Sequence, residues 1–200
     1  MKATDFDLSK DLILDPASGI ASFRNSRMVV MDAAALGLLR QNLLEALGLE
    51  KTRAFFLRFG YSAGYSDFKQ MKKKYTFDTD MDLLASGPVI HSWEGIVSAR
   101  PGELRFSRET GDFYFTGDWV NSYEAEQYLS FNPVCDSPVC WSLAGYASGW
   151  GTAFFERPLL AMESRCVGKG DASCGWLIQP PAEFGDEARP YMEALGPLMG

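Results

Sequence analysis

The chain has 200 residues, 46% of them hydrophobic and 14% aromatic, and a formal net charge of −7. This length suits one compact domain, and this hydrophobic content allows a sizeable core with side chains left over to line a cavity. The acidic balance argues against direct binding to nucleic acid, because neutralising phosphates requires clustered Lys and Arg.

The first fifty residues predict short strands and then an amphipathic helix. Residues 12–14 and 29–31 are apolar runs of the strand type. Asp32 is placed to cap a helix, and Gly48 is placed to end it. Between them, apolar side chains recur at three- and four-residue steps, at Leu36, Leu39, Leu43 and Leu47.

Two further helices are predicted before residue 90. The longer one spans about residues 50–71, and we expect it to bury four of its side chains, which are Phe55, Phe56, Phe59 and Ala63. Gly60 and Gly64, together with Ala63, are small enough to permit close contact with another helix. The shorter helix follows a polar turn at residues 78–82 and is predicted to end near Gly87.

The pattern then changes to that of strands. Residues 90–99 and 104–107 are predicted strands, which places His91 at the start of the first. A hairpin turn leads into a third strand at residues 113–120.

The last third of the chain returns to a mixed pattern. Asn121 and Glu124 have the spacing of a capping box, so a helix is predicted to follow them. The remaining predicted elements are a long helix at 139–155 that begins with Ser137-Pro138, strands at 159–164 and 174–178, and a final helix at 186–195. The fold class is therefore α+β, with an antiparallel sheet packed with helices.

The compartment decides how the cysteines are interpreted. Residues 1–10 are charged and lack the apolar segment of a secretion signal. The apolar stretches are short and interrupted, so we expect a cytoplasmic protein without a membrane partner. In that compartment, four cysteines indicate a metal site or free thiols before disulfides.

Three cysteines and a glutamate form the group with the most chemistry. Glu163 and Cys166 lie near the end of one predicted strand, Cys174 follows after a glycine-containing loop, and Cys140 lies near a helix start. Thiolates suit zinc, and an oxygen ligand can complete a tetrahedral set. The spacing alone also fits buried free thiols, because no CxxC pair is present, and Cys135 can replace Glu163 in an all-cysteine site.

His91 and Trp119 are the candidate polar groups of a ligand pocket. His91 is the single histidine, and a buried neutral imidazole can donate to a ligand hydroxyl or accept from one. The indole N–H of Trp119 needs a partner if it is buried, and a ligand oxygen can be that partner. For each residue alone, core packing is the commoner explanation.

Motifs of nucleophilic catalysis are not found. The chain has no GxSxG sequence, and its histidine has no evident Ser or Cys partner. Residues 168–170 lack the spacing of a phosphate-binding loop. We therefore expect a protein that is not an enzyme.

Six ordered motifs carry a family resemblance. They are AFFLRFGY at 54–61, SGPVIHS at 86–92, DWVNSYE at 118–124, PVCWSLAGYASG at 138–149, ESRC at 163–166 and GDASC at 170–174. In these motifs the chain resembles the aromatic-sensing N-terminal domains of XylR-, DmpR- and MopR-type activators. Those activators are sigma-54-dependent, NtrC-like regulators, and their sensor contains a vinyl-reductase-type (V-four-R) module. The similarity covers about residues 17–191.

The resemblance implies a domain organisation, a metal and a ligand. Residues 1–48 would form a strand and helix segment used for homodimerisation, and residues 49–200 a sensor module of the vinyl-reductase type. Cys140, Glu163, Cys166 and Cys174 would hold a structural zinc. His91 and Trp119 would hydrogen-bond the hydroxyl of a phenol-like effector.

Four further candidate ligand-binding residues are Tyr146, Trp150, Ala161 and Gly117. Trp150 and Ala161 fall where some phenol sensors carry tyrosine or another large aromatic residue, and Gly117 replaces a bulkier one. One position gains volume and two lose it, so the resemblance implies a reshaped pocket and allows a larger or substituted phenol.

Two alternatives to the sensor remain at this point. The name of the vinyl-reductase-type module also suggests a vinyl or tetrapyrrole reductase-related enzyme or accessory protein, although no flavin or nicotinamide motif is present. The other is a zinc-stabilised interaction module whose cavity is simply core. The family's ATPase and helix-turn-helix domains are absent from these 200 residues, so the chain is either an excised sensor or a stand-alone protein that acts through a partner.

Overall fold

A computed structural model describes residues 1–23 and 26–199 of the chain. Near the N-terminus, a short helix, α1 (Leu8–Asp11), leads into a three-stranded antiparallel sheet. Its strands are β1 (Leu12–Asp15), β2 (Ile20–Phe23) and β3 (Ser26–Met28). The strand predicted at residues 29–31 is wrong: β3 ends at Met28, and Val29 and Val30 are among the most exposed apolar side chains described.

Helix α2 (Ala33–Leu47) confirms the predicted capping signals. The side chain of Asp32 accepts a hydrogen bond from the backbone N–H of Ala34, which satisfies one of the donors that a helix start leaves free. Gly48 ends the helix with a φ of 77°, a conformation that glycine adopts without the Cβ clash of other residues.

Helix α3 (Leu49–Lys74) follows at once, but only part of its predicted buried side is correct. Phe56 is buried, whereas Phe55 is 47% exposed and Phe59 is 60% exposed. The buried side instead follows Leu57, Gly60, Tyr61, Gly64 and Phe68. These residues face the long helix α6 (Trp141–Phe155), which makes the most extensive helix contact of α3.

Glycines bring α3 and α6 into backbone contact, as predicted from Gly60 and Gly64. A Cβ atom on Gly60 would stand 2.1 Å from the carbonyl oxygen of Ser142. In return, Cβ atoms on Gly145 and Gly149 would stand 2.1 Å from the carbonyl oxygens of Leu57 and Tyr61. No carbon side chain fits at these distances, so the crossing requires glycine on both helices.

Helix α4 (Asp80–Trp93) corrects the predicted boundary between helix and strand. The helix continues past Gly87 and through Pro88, so His91 lies on a helix and not on a strand. Pro88 has no N–H, and this leaves the carbonyl oxygen of Leu84 without its usual partner four residues on. The indole Nε1 of Trp150 donates to that oxygen at 3.0 Å, so a contact from a distant helix replaces the missing hydrogen bond.

The second sheet has four antiparallel strands in the order β4-β5-β7-β6. They are β4 (Ser98–Phe106), β5 (Phe113–Val120), β6 (Leu160–Arg165) and β7 (Cys174–Gln179). Helices α5 (Tyr123–Phe131) and α7 (Arg189–Met199) complete the α+β architecture. Ser122, and not Asn121, caps α5: its hydroxyl accepts from the N–H of Ala125, while Asn121 forms the preceding turn with a φ of 57°.

A buried ion pair ties α2 to the start of α6. Glu124 on α5 accepts hydrogen bonds from the backbone N–H groups of Ser142 and Leu143 and from the Ser142 hydroxyl. Arg40 on α2 lies 3.8 Å from the Glu124 carboxylate and donates to the carbonyl oxygen of Val139 at 2.8 Å. The first turn of α6 and the residues just before it are therefore held from two sides. Among the described residues, no helix combines the length and apolar composition needed to cross a bilayer.

Candidate functional site

The four residues of the predicted metal site meet at one buried point, which we call the thiol–carboxylate cluster. Cys140 precedes α6, Glu163 lies on β6, Cys166 follows that strand, and Cys174 begins β7. Their candidate ligand atoms all lie within 4.8 Å of one another. Sγ of Cys174 is 3.8 Å from Sγ of Cys140 and 3.9 Å from Sγ of Cys166.

This geometry fits a tetrahedral metal ion. Two sulfurs bound to zinc at 2.3 Å and a tetrahedral angle stand about 3.8 Å apart. Oε2 of Glu163 accepts from the backbone N–H of Cys140 at 2.9 Å, whereas its Oε1 is buried and has no hydrogen-bond partner in the described part of the chain. An unpartnered buried carboxylate oxygen beside three thiols is a free ligand position for a cation.

The electrostatics of the thiol–carboxylate cluster also favour a cation. Burial raises the pKa of Glu163 to about 9, and burial likewise raises the pKa of the Cys140 thiol. Without a metal, Glu163 and Cys140 are held in their neutral forms because water cannot solvate their charges. Hydrogen bonds with the thiols of Cys140 and Cys166 instead lower the pKa of Cys174 to about 5, which favours a thiolate there. Cys135 lies outside the cluster, and its thiol donates to the carbonyl oxygens of Ser137 and Gly168. The geometry therefore places Glu163, and not Cys135, in the group that could hold a metal ion.

A small apolar cavity lies between the four-stranded sheet and helices α4 and α6. Its volume is about 50 Å³. Most of its wall is aromatic or aliphatic, and its lining residues are Leu84, Pro88, His91, Ala99, Phe113, Phe115, Trp119, Leu143, Tyr146, Ala147, Trp150, Gly151, Trp176 and Ile178. The cavity thus brings together four of the six predicted ligand-binding residues.

His91 is a buried imidazole on the α4 side of the cavity. Burial lowers its pKa to about 4, because an apolar site disfavours the charged form, so the ring is neutral at pH 7. Its ring centroid lies 4.0 Å from that of Tyr146. Neither ring nitrogen has a hydrogen-bond partner among the described residues, which leaves one acceptor and one donor for a guest.

Trp119 lies on β5, on the sheet side of the same cavity. It is buried, and within the described residues its indole N–H has no acceptor. The indole of Trp150 differs, since its Nε1 already donates to the carbonyl oxygen of Leu84. Of these two tryptophans, only Trp119 has its donor available to a ligand.

Tyr146 and Trp150 form the α6 wall. Their rings stack with centroids 5.8 Å apart. The Tyr146 hydroxyl reaches Oδ2 of Asp67 at 3.4 Å and so points to the outer side of the wall. These two residues therefore mainly determine the shape of the cavity and do not offer it a hydrogen-bonding group.

Gly117 and Ala161 do not line the cavity, which differs from the prediction. Ala161 is fully buried, and its backbone N–H donates to the Ser148 hydroxyl at 2.8 Å. The space beside Gly117 is occupied by the indole of Trp176, which lies opposite it in the β5–β7 register. Neither small residue therefore enlarges the cavity.

Several wall residues were not predicted from the sequence, including Phe113, Phe115, Trp176 and Leu143. The alternation of Phe113, Phe115 and Trp119 on a strand was a usable signal, because every second side chain points to one face. Trp176 follows the same rule two residues after Cys174.

Comparisons with known proteins find one matching family and two similar regulators. A family described as activators of aromatic catabolism (XylR_N) matches residues 7–117. The phenol regulator MopR of Acinetobacter guillouiae is 35% identical over 178 residues, which is 89% of this chain and 32% of that protein. The transcriptional regulatory protein XylR of Pseudomonas putida is 30% identical over 180 residues, 90% of this chain and 32% of that protein. The chain thus spans about a third of both regulators.

A solved structure is similar over nearly its whole length. It is the phenol-responsive sensory domain of the transcription activator PoxR with phenol. The TM-score is 0.85 at 28% sequence identity, and the match covers 96% of this chain and 94% of that one. The fold described above is therefore that of a sensory domain.

Proposed function

Because the chain belongs to the family of activators of aromatic catabolism, we propose that it is an effector-binding sensor domain that relays a phenol-like molecule to a transcriptional activator. The phenol in the similar PoxR domain and the description of MopR as a phenol regulator support this choice of effector. They favour a sensor over the reductase-related alternative. In this role the chain is not an enzyme, does not itself contact nucleic acid or membrane, and works in the cytoplasm.

The observation that carries the proposal is that His91 and Trp119 have hydrogen-bonding ring nitrogens without partners. Both line the apolar cavity, and their ring nitrogens lack partners among the described residues. A phenol hydroxyl can donate to the neutral imidazole and accept from the indole N–H at the same time. Without such partners a buried hydroxyl costs about 1–3 kcal/mol, so this pair selects a phenol over a bare aromatic hydrocarbon.

The size of the cavity explains how occupancy can become a signal. Its volume of about 50 Å³ is less than the roughly 150 Å³ of an engineered cavity that binds benzene. A single aromatic ring therefore enters only if the lining side chains move apart. A ligand that binds the expanded form better shifts the population toward it, which is the physical basis of sensing.

For the metal, we propose zinc held by Cys140, Glu163, Cys166 and Cys174. Three sulfurs and one carboxylate complete a tetrahedral set, and such a closed set leaves no position for a reactive water. The ion would join the start of α6 to strands β6 and β7. Its role is therefore structural.

For assembly, we propose that residues 1–48 form the homodimer contact and residues 49–200 the sensor module. Support comes from exposed apolar side chains in the first segment, namely Ile13, Leu14, Val29, Val30, Met31, Leu38 and Leu39. An apolar surface of this kind is typical of a site that another chain covers. Light scattering of the purified chain distinguishes a dimer from a monomer.

Titration calorimetry tests the effector site directly. We expect heat with phenol and much weaker binding of toluene, which has no hydroxyl. The double variant His91→Ala/Trp119→Phe should weaken phenol binding by at least about tenfold, because it removes both hydrogen-bonding groups.

The matched control is Trp93→Phe, since Trp93 is on the same helix as His91 but is exposed and outside the cavity. It should bind phenol like the unaltered chain. Full phenol affinity in the double variant, with its metal content and circular dichroism unchanged, would refute the assignment of the pocket.

A further inference from the structure

The cavity shares part of its wall with a larger groove on the surface, which we call the α3 groove. It lies between α2, α3, the end of α4 and the start of α6, and its volume is about 420 Å³. Its walls are mainly apolar and include Leu36, Leu39, Phe55 and Phe59. This volume exceeds the roughly 150 Å³ of an engineered cavity that binds benzene. The α3 groove is therefore large enough for an aromatic ring, whereas the closed cavity is not.

Three side chains separate the two spaces, because His91, Leu143 and Tyr146 line both the cavity and the α3 groove. The ring centroids of His91 and Tyr146 are 4.0 Å apart, so these two rings close the wall. His91 and Leu143 are buried, whereas Tyr146 is only half-buried. The Tyr146 hydroxyl reaches the surface, where it donates to Oδ2 of Asp67 at 3.4 Å. Of the three, Tyr146 has the most freedom to turn toward solvent.

A second surface groove meets the cavity at Trp119, and we call it the α5 groove because Leu129 and Ser130 of that helix line it. Trp119 is buried, and its strand is paired with β4 on one side and with β7 on the other. Its ring centroid also lies 6.2 Å from that of Trp176. Turning this indole outward would disturb a closely packed wall, so an opening is less costly at Tyr146.

We propose that the α3 groove is the entrance to the cavity and that Tyr146 is its gate. An aromatic molecule first lies in the α3 groove, Tyr146 turns away from His91, and the molecule passes between the two rings. The hydrogen bond to Asp67 holds the gate closed. Because the gate closes over the empty and the filled cavity alike, it sets the rates of entry and release and not the affinity. This inference rests on the proposed function, since it assumes an aromatic effector in the cavity.

The test measures the rates of phenol binding and release by stopped-flow tryptophan fluorescence, excited at a wavelength that phenol does not absorb. Trp119, Trp150 and Trp176 line the cavity and report its occupancy. Ala63 lines the α3 groove but not the cavity, so Ala63→Phe places a ring in the entrance and adds no indole signal. We expect both rates to fall on the order of tenfold while Kd changes by less than about twofold.

Two further variants complete the test. Ser130→Phe is the matched control, because it places the same side chain in the α5 groove, and both of its rates should equal those of the unaltered chain. Asp67→Ala removes the acceptor of the Tyr146 hydroxyl from an exposed position on α3. Both of its rates should rise about threefold at unchanged Kd, since the gate opens more often. Asp67→Ala also carries the test if Ala63→Phe does not fold.

The outcomes separate this inference from the function on which it rests. Unchanged phenol rates in Ala63→Phe, or in Asp67→Ala where Ala63→Phe does not fold, would refute the gate, and the sensor would stand because phenol still binds. Slower rates in Ser130→Phe alone would place the entrance at Trp119 and refute the gate as well. If Ala63→Phe changes the mass measured by light scattering but neither rate, the α3 groove holds a second copy of the chain and is not the entrance. If phenol does not bind the unaltered chain, the proposed function itself fails, and this inference fails with it.

Discussion

One member of the thiol–carboxylate cluster, Cys140, immediately precedes α6, and the aromatic cavity lies along the middle of the same helix. The cluster uses four side chains with one shared chemistry, the ability to bind a soft cation. The cavity uses mainly side chains whose common property is shape, with a few polar atoms among them. Removing one member should therefore have very different effects in the two regions.

The largest effect is expected from the thiol–carboxylate cluster. We predict that Cys166→Ala, or a strong chelator, removes the metal. The cooperative thermal unfolding transition that the unaltered chain shows at its midpoint is then lost. Structural zinc contributes roughly 10 kcal/mol or more to folding in small domains, which is comparable with the whole stability of most domains. Elemental analysis and thermal unfolding followed by circular dichroism measure both effects.

Cys135→Ala is the control for that prediction. Cys135 is a partly buried thiol whose contacts are to the backbone, and it lies outside the cluster. The variant should keep its metal and shift the midpoint by only a few degrees, as expected for about 1 kcal/mol. A chelator that leaves the unfolding of the unaltered chain untouched would show that the cluster is merely a group of buried thiols.

The crossing of α3 and α6 connects the two regions, and a methyl group there should have the next largest effect. We predict that Gly145→Ala destabilises the fold by about 4 kcal/mol, above the usual range for overpacking, because the added carbon meets the backbone carbonyl of Leu57, which cannot rotate away. Urea unfolding measures the loss. Gly196→Ala in α7 is the control, since nothing lies within 4 Å of its added carbon, and it should be neutral or slightly stabilising. Equal stabilities for the two variants would contradict the close crossing.

The same contrast explains what could be predicted from the sequence. Residue type alone limits which side chains can bind zinc, so the thiol–carboxylate cluster was predictable once its candidates were placed near strand and helix ends. Capping residues such as Asp32 and Gly48 act within a few positions, and they also gave a correct helix.

The cavity wall depends on contacts between distant segments, which local sequence patterns do not reveal. The helix was predicted to end near Gly87, but Trp150 satisfies the carbonyl group that Pro88 leaves free, so α4 continues to Trp93. Gly117 indicated extra volume, but Trp176 fills it across the strand pair. Both errors arise because the compensating residue lies about sixty positions away in the sequence.

The smallest predicted effect is the loss of stability in acid that the cavity residue His91 causes. It can be measured apart from the loss that the thiol–carboxylate cluster causes. The pKa of His91 is about 4 in the folded chain, below its ordinary value of 6.5, so between these values the unfolded chain binds a proton that the folded chain does not. The free energy of unfolding therefore falls as the pH falls through this window. Between pH 7 and pH 5 the loss from His91 is about 2 kcal/mol.

His91→Gln is the matched variant, because glutamine is polar, similar in size and does not titrate in this range. Protonation of the proposed metal ligands affects both proteins equally and cancels in their difference. Urea unfolding at pH 7, 6 and 5 should show the unaltered chain losing about 2 kcal/mol more than His91→Gln. Parallel curves for the two proteins would mean that the imidazole is solvated in the folded state, and a solvated imidazole cannot be the buried, neutral partner that a phenol hydroxyl requires.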